Sequence, residues 1–280
     1  MMNRRNVLAG AAGLTALSLT GRLVPSASAA QIDAIGLQLY TVRDIFEKDP
    51  AGTLEKVARI GYREVEFGGG GYDRMDPAML RQTMDRHGLR SPSIHVGYDQ
   101  LLGQMDQSIA MARTLGADTI ILPYMTEEHR TDRGWEAALP NIARFGTTLK
   151  KAGLGFAYHN HDFEFTGRSG GVSLFDRLLR ETDPETVKIE LDLYWAVFAG
   201  ADAGSLIDRL SSRLYSFHVK DMRADRNMTA VGQGQMDFAA LFKRPGAAGV
   251  RHFFVENDRA PAPYLPDITT SFNTLRSLRF

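Results

Sequence analysis

The chain has 280 residues, 44% of them hydrophobic, with 33 basic and 33 acidic side chains and no cysteine. That charge balance offers nothing global to attract nucleic acid or an acidic membrane surface. The absence of cysteine excludes both a disulfide framework and a thiolate metal site, so any metal must be held by histidines and carboxylates.

The chain opens with MMNRRNVLAGAAGLTALSLTGRLVPSASAA. A basic start, an apolar stretch and a small-residue end have the order of an export signal, expected to be removed after residue 30. The apolar part is short and interrupted by Gly, Thr and Ser, which argues against a membrane-spanning anchor. Arg4-Arg5 followed by Asn6, Val7 and Leu8 resembles a twin-arginine signal, the kind that exports folded proteins, and predicts a periplasmic location. Removal leaves 30 basic residues against 33 acidic ones.

From residue 31 onward one unit repeats: a short apolar, β-prone run, then a segment with helical spacing. The runs are IGLQLY (35–40), REVEF (63–67), SPSIHV (91–96), TIILPY (119–124), GFAYHN (155–160), VKIELDLY (187–194), LYSFHVK (214–220) and HFFVEN (252–257). Between the first two, DPAGTLEKVARIG (49–61) has Asp49 to cap a helix and Pro50 in its first turn. Further helical candidates lie in LGQMDQSIAMARTLGA, RGWEAALPNIARFGTTLKKAG, SLFDRLLRE and DITTSFNTLRSLRF; Pro140 is expected to start, kink or interrupt the second of these. Eight strands alternating with helices in about 250 residues predict an α/β fold, a single (β/α)8 TIM barrel over residues 31–280. A doubly wound open sheet would normally carry a G-x-G-x-x-G loop after an early strand. GGGGY (68–72) lacks that spacing and reads as a flexible loop.

Functional side chains of such a barrel come from the C-terminal ends of its strands. Several runs end in charge there: Glu66, His95, the pair His159 and His161, Glu190 with Asp192, His218 with Lys220 and Asp221, and Glu256 with Asp258. Charge inside an apolar run is costly unless paired or metal-bound, so its repetition on successive strands points to a site. Glu190 lies two residues before Asp192, on the same face and deeper. Tyr40 and Arg43, after the first run, carry less signal.

The runs VKIELDLYW, LYSFHVKD and HFFVEND resemble the last three strands of the xylose isomerase-like sugar epimerase and isomerase barrels. That family includes inosose dehydratases and the related endonuclease IV enzymes. VGQGQMDF (231–238) resembles the family's G-x-G loop. The resemblance implies one divalent ion (Mn, Co, Fe or Zn) held by Glu, Asp, His and Glu from four strands. Asp192, His218 and Glu256 match three of these positions. The first Glu is replaced, because FAYHNH puts His159 in its place. The implied metal set is therefore His159, Asp192, His218 and Glu256. An alternative puts Glu164 on the metal and His159 on the substrate.

The same resemblance implies catalytic roles for Glu256 as base and for His161 or His95 as acid. Glu66, Trp195, Lys220 and Glu164 are candidates for binding substrate, with Lys220 alternatively paired to Asp221. A divalent ion facing a hydroxy-ketone supports proton removal through an enediolate, with isomerisation, epimerisation or elimination as outcomes. Exchanging the fifth-strand Glu for His159 shifts the expectation from ketose epimerisation toward dehydration or β-elimination. The expected partner is a small carbohydrate (a keto-sugar, cyclitol or oxidised glycoside), with no nucleic acid and a homo-oligomer left open. Two other readings are a periplasmic sugar-binding barrel without turnover and an endonuclease IV-like phosphodiesterase, which should show a basic DNA-binding face.

Overall fold

The computed structural model describes residues 30–280, so the predicted export signal, up to residue 29, lies outside the described residues. All eight predicted runs form strands: β1 (Ile35–Gln38), β2 (Glu64–Glu66), β3 (Ser93–His95), β4 (Thr119–Leu122), β5 (Gly155–His159), β6 (Lys188–Asp192), β7 (Leu214–Val219) and β8 (His252–Val255). They form one parallel sheet in the order β2-β1-β8-β7-β6-β5-β4-β3. Its two ends meet through the bridges Glu64 to Arg90 and Phe67 to Ile94, with His95 N donating to Phe67 O at 2.8 Å. The result is a (β/α)8 barrel.

Alternation along each strand sorts the side chains into two environments. Phe156, Tyr158, Ile189, Leu191, Phe217 and Val219 turn outward into the apolar layer beneath the helices. There Phe156 meets Phe145 and Tyr158 meets Trp135, both edge-on at 6.1 Å. The residues between them, His159, Glu190, Asp192, Ser216 and His218, turn into the barrel and are buried. Register places His159 beside Glu190 and Asp192 beside His218. One strand face thus makes core and the other makes a site.

Asp132–Lys151 and Leu174–Glu181 start within a residue of their predicted stretches, whereas the stretch from Leu102 is broken at Gln104 and its helix starts at Met105. Asp49 caps Pro50–Ile60, its carboxylate accepting from Gly52 N at 2.9 Å. Pro140 neither starts nor interrupts a helix, since Asp132–Lys151 runs through it as one element. Pro140 is exposed, so the carbonyl left without its N–H partner, that of Glu136, is on the side that water can reach.

The loops above the strands are held by specific bonds. The Asp221 carboxylate accepts from the backbone N–H of Met222 (2.8 Å), Gly232 (2.8 Å), Gly234 (2.9 Å) and Met236 (3.2 Å). It folds the VGQGQMDF loop over the barrel end. A Cβ at Gly234 would lie 2.2 Å from Asp221 Oδ1, which explains the second glycine of that loop.

Candidate active site

The C-terminal ends of the strands converge on a cavity of about 550 Å³. Its lining includes His95, His159, His161, Lys220, Glu256 and Asp258 among the sequence-predicted residues. Beneath them, fully buried, lie Glu66, Glu190, Asp192 and His218.

His218 is the hub. Its Nδ1 is 2.7 Å from Glu256 Oε2, and its Nε2 is 2.8 Å from Glu66 Oε2 and 3.1 Å from Glu190 Oε2. His95 Nε2 sits 2.9 Å from both Glu66 Oε2 and Glu190 Oε2. His159 Nδ1 approaches Glu190 Oε2 at 3.3 Å, and its Nε2 is 3.9 Å from Asp192 Oδ2. Lys220 Nζ lies 2.7 Å from Glu256 Oε2, 2.7 Å from Asp258 Oδ1 and 3.0 Å from Asp192 Oδ2. The alternative pairing of Lys220 with Asp221 is therefore not formed. Asp221 is taken by the glycine loop, and Lys220 neutralises the strand-end carboxylates instead.

The field of these groups moves their protonation. Burial alone would lower the His95 imidazole, but the Glu66 charge and the bond to Glu190 outweigh it and raise it to about 9. His159 goes the other way, to about 4, because burial and the neighbouring His218 charge both oppose a proton. His161 is pushed well below its usual value by burial and by His159. Burial raises Asp192 to about 6, against the pull of Lys220 and His218. For Glu256 the same two cations win over burial and hold the carboxyl well below its usual range.

Does this set suit a cation? Five carboxylates (Glu66, Glu190, Asp192, Glu256 and Asp258) face one permanent cation, Lys220. Asp192 Oδ2 and His159 Nδ1 are buried and make no well-aligned hydrogen bond; their nearest opposite charges are Lys220 Nζ at 3.0 Å and Glu190 Oε2 at 3.3 Å. Two groups of donors each converge within 4.8 Å: His95, His159, Glu190 and His218, and Asp192, His218 and Glu256. Imidazole with carboxylate is a donor set for Mn²⁺, Fe²⁺, Co²⁺ or Zn²⁺, and the negative field that keeps protons on His95 and His218 also favours a divalent ion. The residues fit.

Glu164 belongs to neither group and does not line the cavity. Its Oε1 accepts from Tyr158 OH at 2.7 Å and its Oε2 from His161 N at 2.8 Å. It follows β5 on the short helix Phe163–Thr166, where strand alternation no longer applies. Glu164 thus braces the loop that carries His161. Burial raises its carboxyl to about 8 despite both bonds. Trp195 also stands behind the lining, with its ring centroid 5.5 Å from that of His161. Glu66 underlies His95 and His218 rather than opening to the cavity.

Sequence reading missed Gln38 and Ser93, which donate to the two oxygens of Glu66, Gln38 at 2.8 Å. It also missed Ser216, which donates to Glu190 Oε1 at 2.6 Å. Gln38 is a polar residue within an apolar run, the same signal that marked Glu66. Tyr72, whose hydroxyl donates to the His95 carbonyl, and Tyr124 complete the cavity wall from loops.

Fold and cluster together define a (β/α)8 barrel with a buried acid–imidazole centre at its C-terminal end. The chain belongs to the xylose isomerase-like TIM barrel family, whose sequence profile matches residues 54–263. It is similar to the inosose dehydratase of Geobacillus kaustophilus, with 24% identity over 68% of each chain. It also resembles the inosose dehydratase of Lacticaseibacillus casei, at 23% identity over 76% of this chain and 83% of that one. Among solved structures, a sugar phosphate isomerase/epimerase from Parabacteroides distasonis superposes with a TM-score of 0.76 and 24% identity, covering 88% of this chain and 98% of the other. No helix among the described residues is long and apolar enough to cross a membrane.

Proposed function

We propose that this protein is a divalent-metal-dependent isomerase, epimerase or lyase acting on a keto-sugar, a cyclitol or an oxidised glycoside. The supporting observation is the buried excess of carboxylates over fixed cations at the top of the barrel, where imidazole and carboxylate donors converge within 4.8 Å. His159, Asp192, His218 and Glu256 are the residues that would hold the ion. When bound, it supplies Lewis acidity that polarises a carbonyl and eases negative charge on the substrate.

The chain's own groups divide the proton work. Glu256 reaches the cavity as an ionised carboxylate, the form that accepts a proton from the carbon beside a carbonyl. His95, on another wall, carries a proton at neutral pH and can donate it. His161 is neutral there, which suits it to hold a substrate hydroxyl by hydrogen bonding rather than to serve as the acid. Lys220 donates to Glu256 and Asp258 and fixes both carboxylates. Return of the proton to the opposite face epimerises, return to the neighbouring carbon isomerises, and loss of a β-substituent eliminates. With His159 where a second carboxylate base would stand, dehydration or β-elimination is the favoured outcome. The dehydratases among the relatives point the same way.

The test is deuterium exchange at carbon, followed by NMR, for keto-sugars incubated with the Mn-loaded protein in heavy water. Exchange or elimination that disappears in Glu256→Gln is expected. Ligand binding with neither would leave a sugar-binding barrel without turnover. We also propose export to the periplasm through residues 1–30. N-terminal sequencing of protein recovered from the periplasm should then start at or near Gln31, and full-length protein confined to the cytoplasm would exclude it.

A further inference from the structure

The floor of the cavity is charged; its lip is aromatic. Tyr40 and Tyr124 both line the opening and keep 38% and 45% of their surface in solvent. With Leu102 they are the exposed large hydrophobic side chains among the described residues. Two of the three therefore stand on the lip of one cavity, where an isolated exposed side chain would need no explanation but a pair does. They follow β1 and β4, three places apart on the ring of eight strands, and so flank the mouth from well-separated sides.

Neither ring is loose. The Arg43 guanidinium lies 4.2 Å from the Tyr40 centroid, and its Nη1 donates to the Tyr40 carbonyl at 2.8 Å. Arg130 lies 4.4 Å from the Tyr124 centroid and 4.0 Å from that of Phe163, with Nε donating to Met125 O at 2.8 Å. Each tyrosine thus has a guanidinium stacked on it by a cation–π contact and that guanidinium tied to backbone. The GGGGY loop (68–72) closes against Tyr40: Gly69 has φ +70°, and a Cβ there would come within 2.6 Å of the ring. His161 meets Tyr124 edge-on at 5.2 Å and links lip to floor. Rigid, half-exposed aromatic faces are platforms for stacking.

Size agrees. A hexose has about a dozen heavy atoms, and even at the ~30 Å³ that a liquid water molecule takes up it fills only ~360 Å³. The cavity holds about 550 Å³, leaving room at the mouth for a second group.

We propose that Tyr40 and Tyr124 form a subsite for a second ring, so that the substrate is a glycoside bearing a ring on its leaving-group side rather than a free monosaccharide. This rests on the reading of the charged floor as the end that handles the sugar. Aryl and pyranose rings share the required flat face, and the test separates them.

Binding of methyl β-glucoside, phenyl β-glucoside and cellobiose to the Mn-loaded full chain is measured by calorimetry. Phenyl glucoside, cellobiose or both should bind about tenfold tighter than methyl glucoside. Tyr40→Ala and Tyr124→Ala should each reduce that preference to about twofold, and Tyr124→Phe should keep it. A phenyl-only preference assigns an aromatic aglycone, and a cellobiose preference assigns a second sugar. Equal affinity for all three, a preference unmoved by both alanine variants, or no binding of any would overturn the proposal. A ring preference without deuterium exchange on any substrate would keep the subsite and sink the enzyme reading. Exchange on free keto-sugars with no ring preference would do the reverse.

Discussion

Glu64 and Glu66 sit two residues apart on β2, and both are buried. Glu64, toward the N-terminal end, meets Arg90 at 2.7 Å and His252 at 3.0 Å. One acid there has one permanent cation, and the group is balanced. Glu66, at the other end, meets Gln38, Ser93, His95 and His218, and shares those imidazoles with Glu190. Several acids there share protons and a single lysine. A balanced buried pair holds a structure together, whereas an unbalanced buried cluster retains affinity for a cation or a proton and is a place for chemistry. The two glutamates are equally buried; charge accounting separates them.

The largest effect should follow from breaking the hub. His218→Ala leaves Glu66, Glu190 and Glu256 facing one another without the imidazole between them. Loss of about 3–5 kcal/mol is expected, a fall in melting temperature of roughly 10 °C. A fall of only a degree or two by calorimetry would mean that the carboxylates do not depend on His218.

A smaller, pH-dependent effect should follow from the brace. Glu164 is raised in the folded protein to about 8, above its unfolded value, so the fold binds its proton more tightly. The stability this contributes is fully present below the unfolded value and is lost as pH rises through about 8. Wild type should therefore lose up to a few kcal/mol between about pH 5 and 9 that Glu164→Gln does not lose. Parallel melting-temperature profiles for the two proteins would contradict this.

The smallest effect should come from the balanced end. The Arg90 side chain is 68% exposed and His252 stays 3.0 Å from Glu64, so Arg90→Ala should cost less than loss of the hub and leave deuterium exchange at the other end unchanged. A large loss of exchange would show that the two ends are coupled.

Much of this was legible from sequence, for reasons that also mark the limit. The eight strands announce themselves because strands covered by helices are continuously apolar. Charges interrupting those runs, Glu66, Glu190, Asp192 and His218, had to face inward or be paired. His159 could be placed because it is still on β5. Glu164 could not, since the chain leaves the strand and turns helical before reaching it. The partners of Lys220 were equally hidden: Asp258 is 38 residues away, while adjacent Asp221 is drawn off by backbone N–H groups of a loop. The aromatic lip was hardest to foresee, because Tyr40 and Tyr124 follow strands without charge or motif to mark them.

A divalent ion at the unbalanced end would be read out by elemental analysis. Purified wild type reconstituted with Mn, Fe, Co or Zn should retain close to one ion per chain. Asp192→Ala and His159→Ala should lose it, and Glu164→Ala should keep it. No retained metal in wild type, or metal kept without His159 and lost without Glu164, would contradict the site described above.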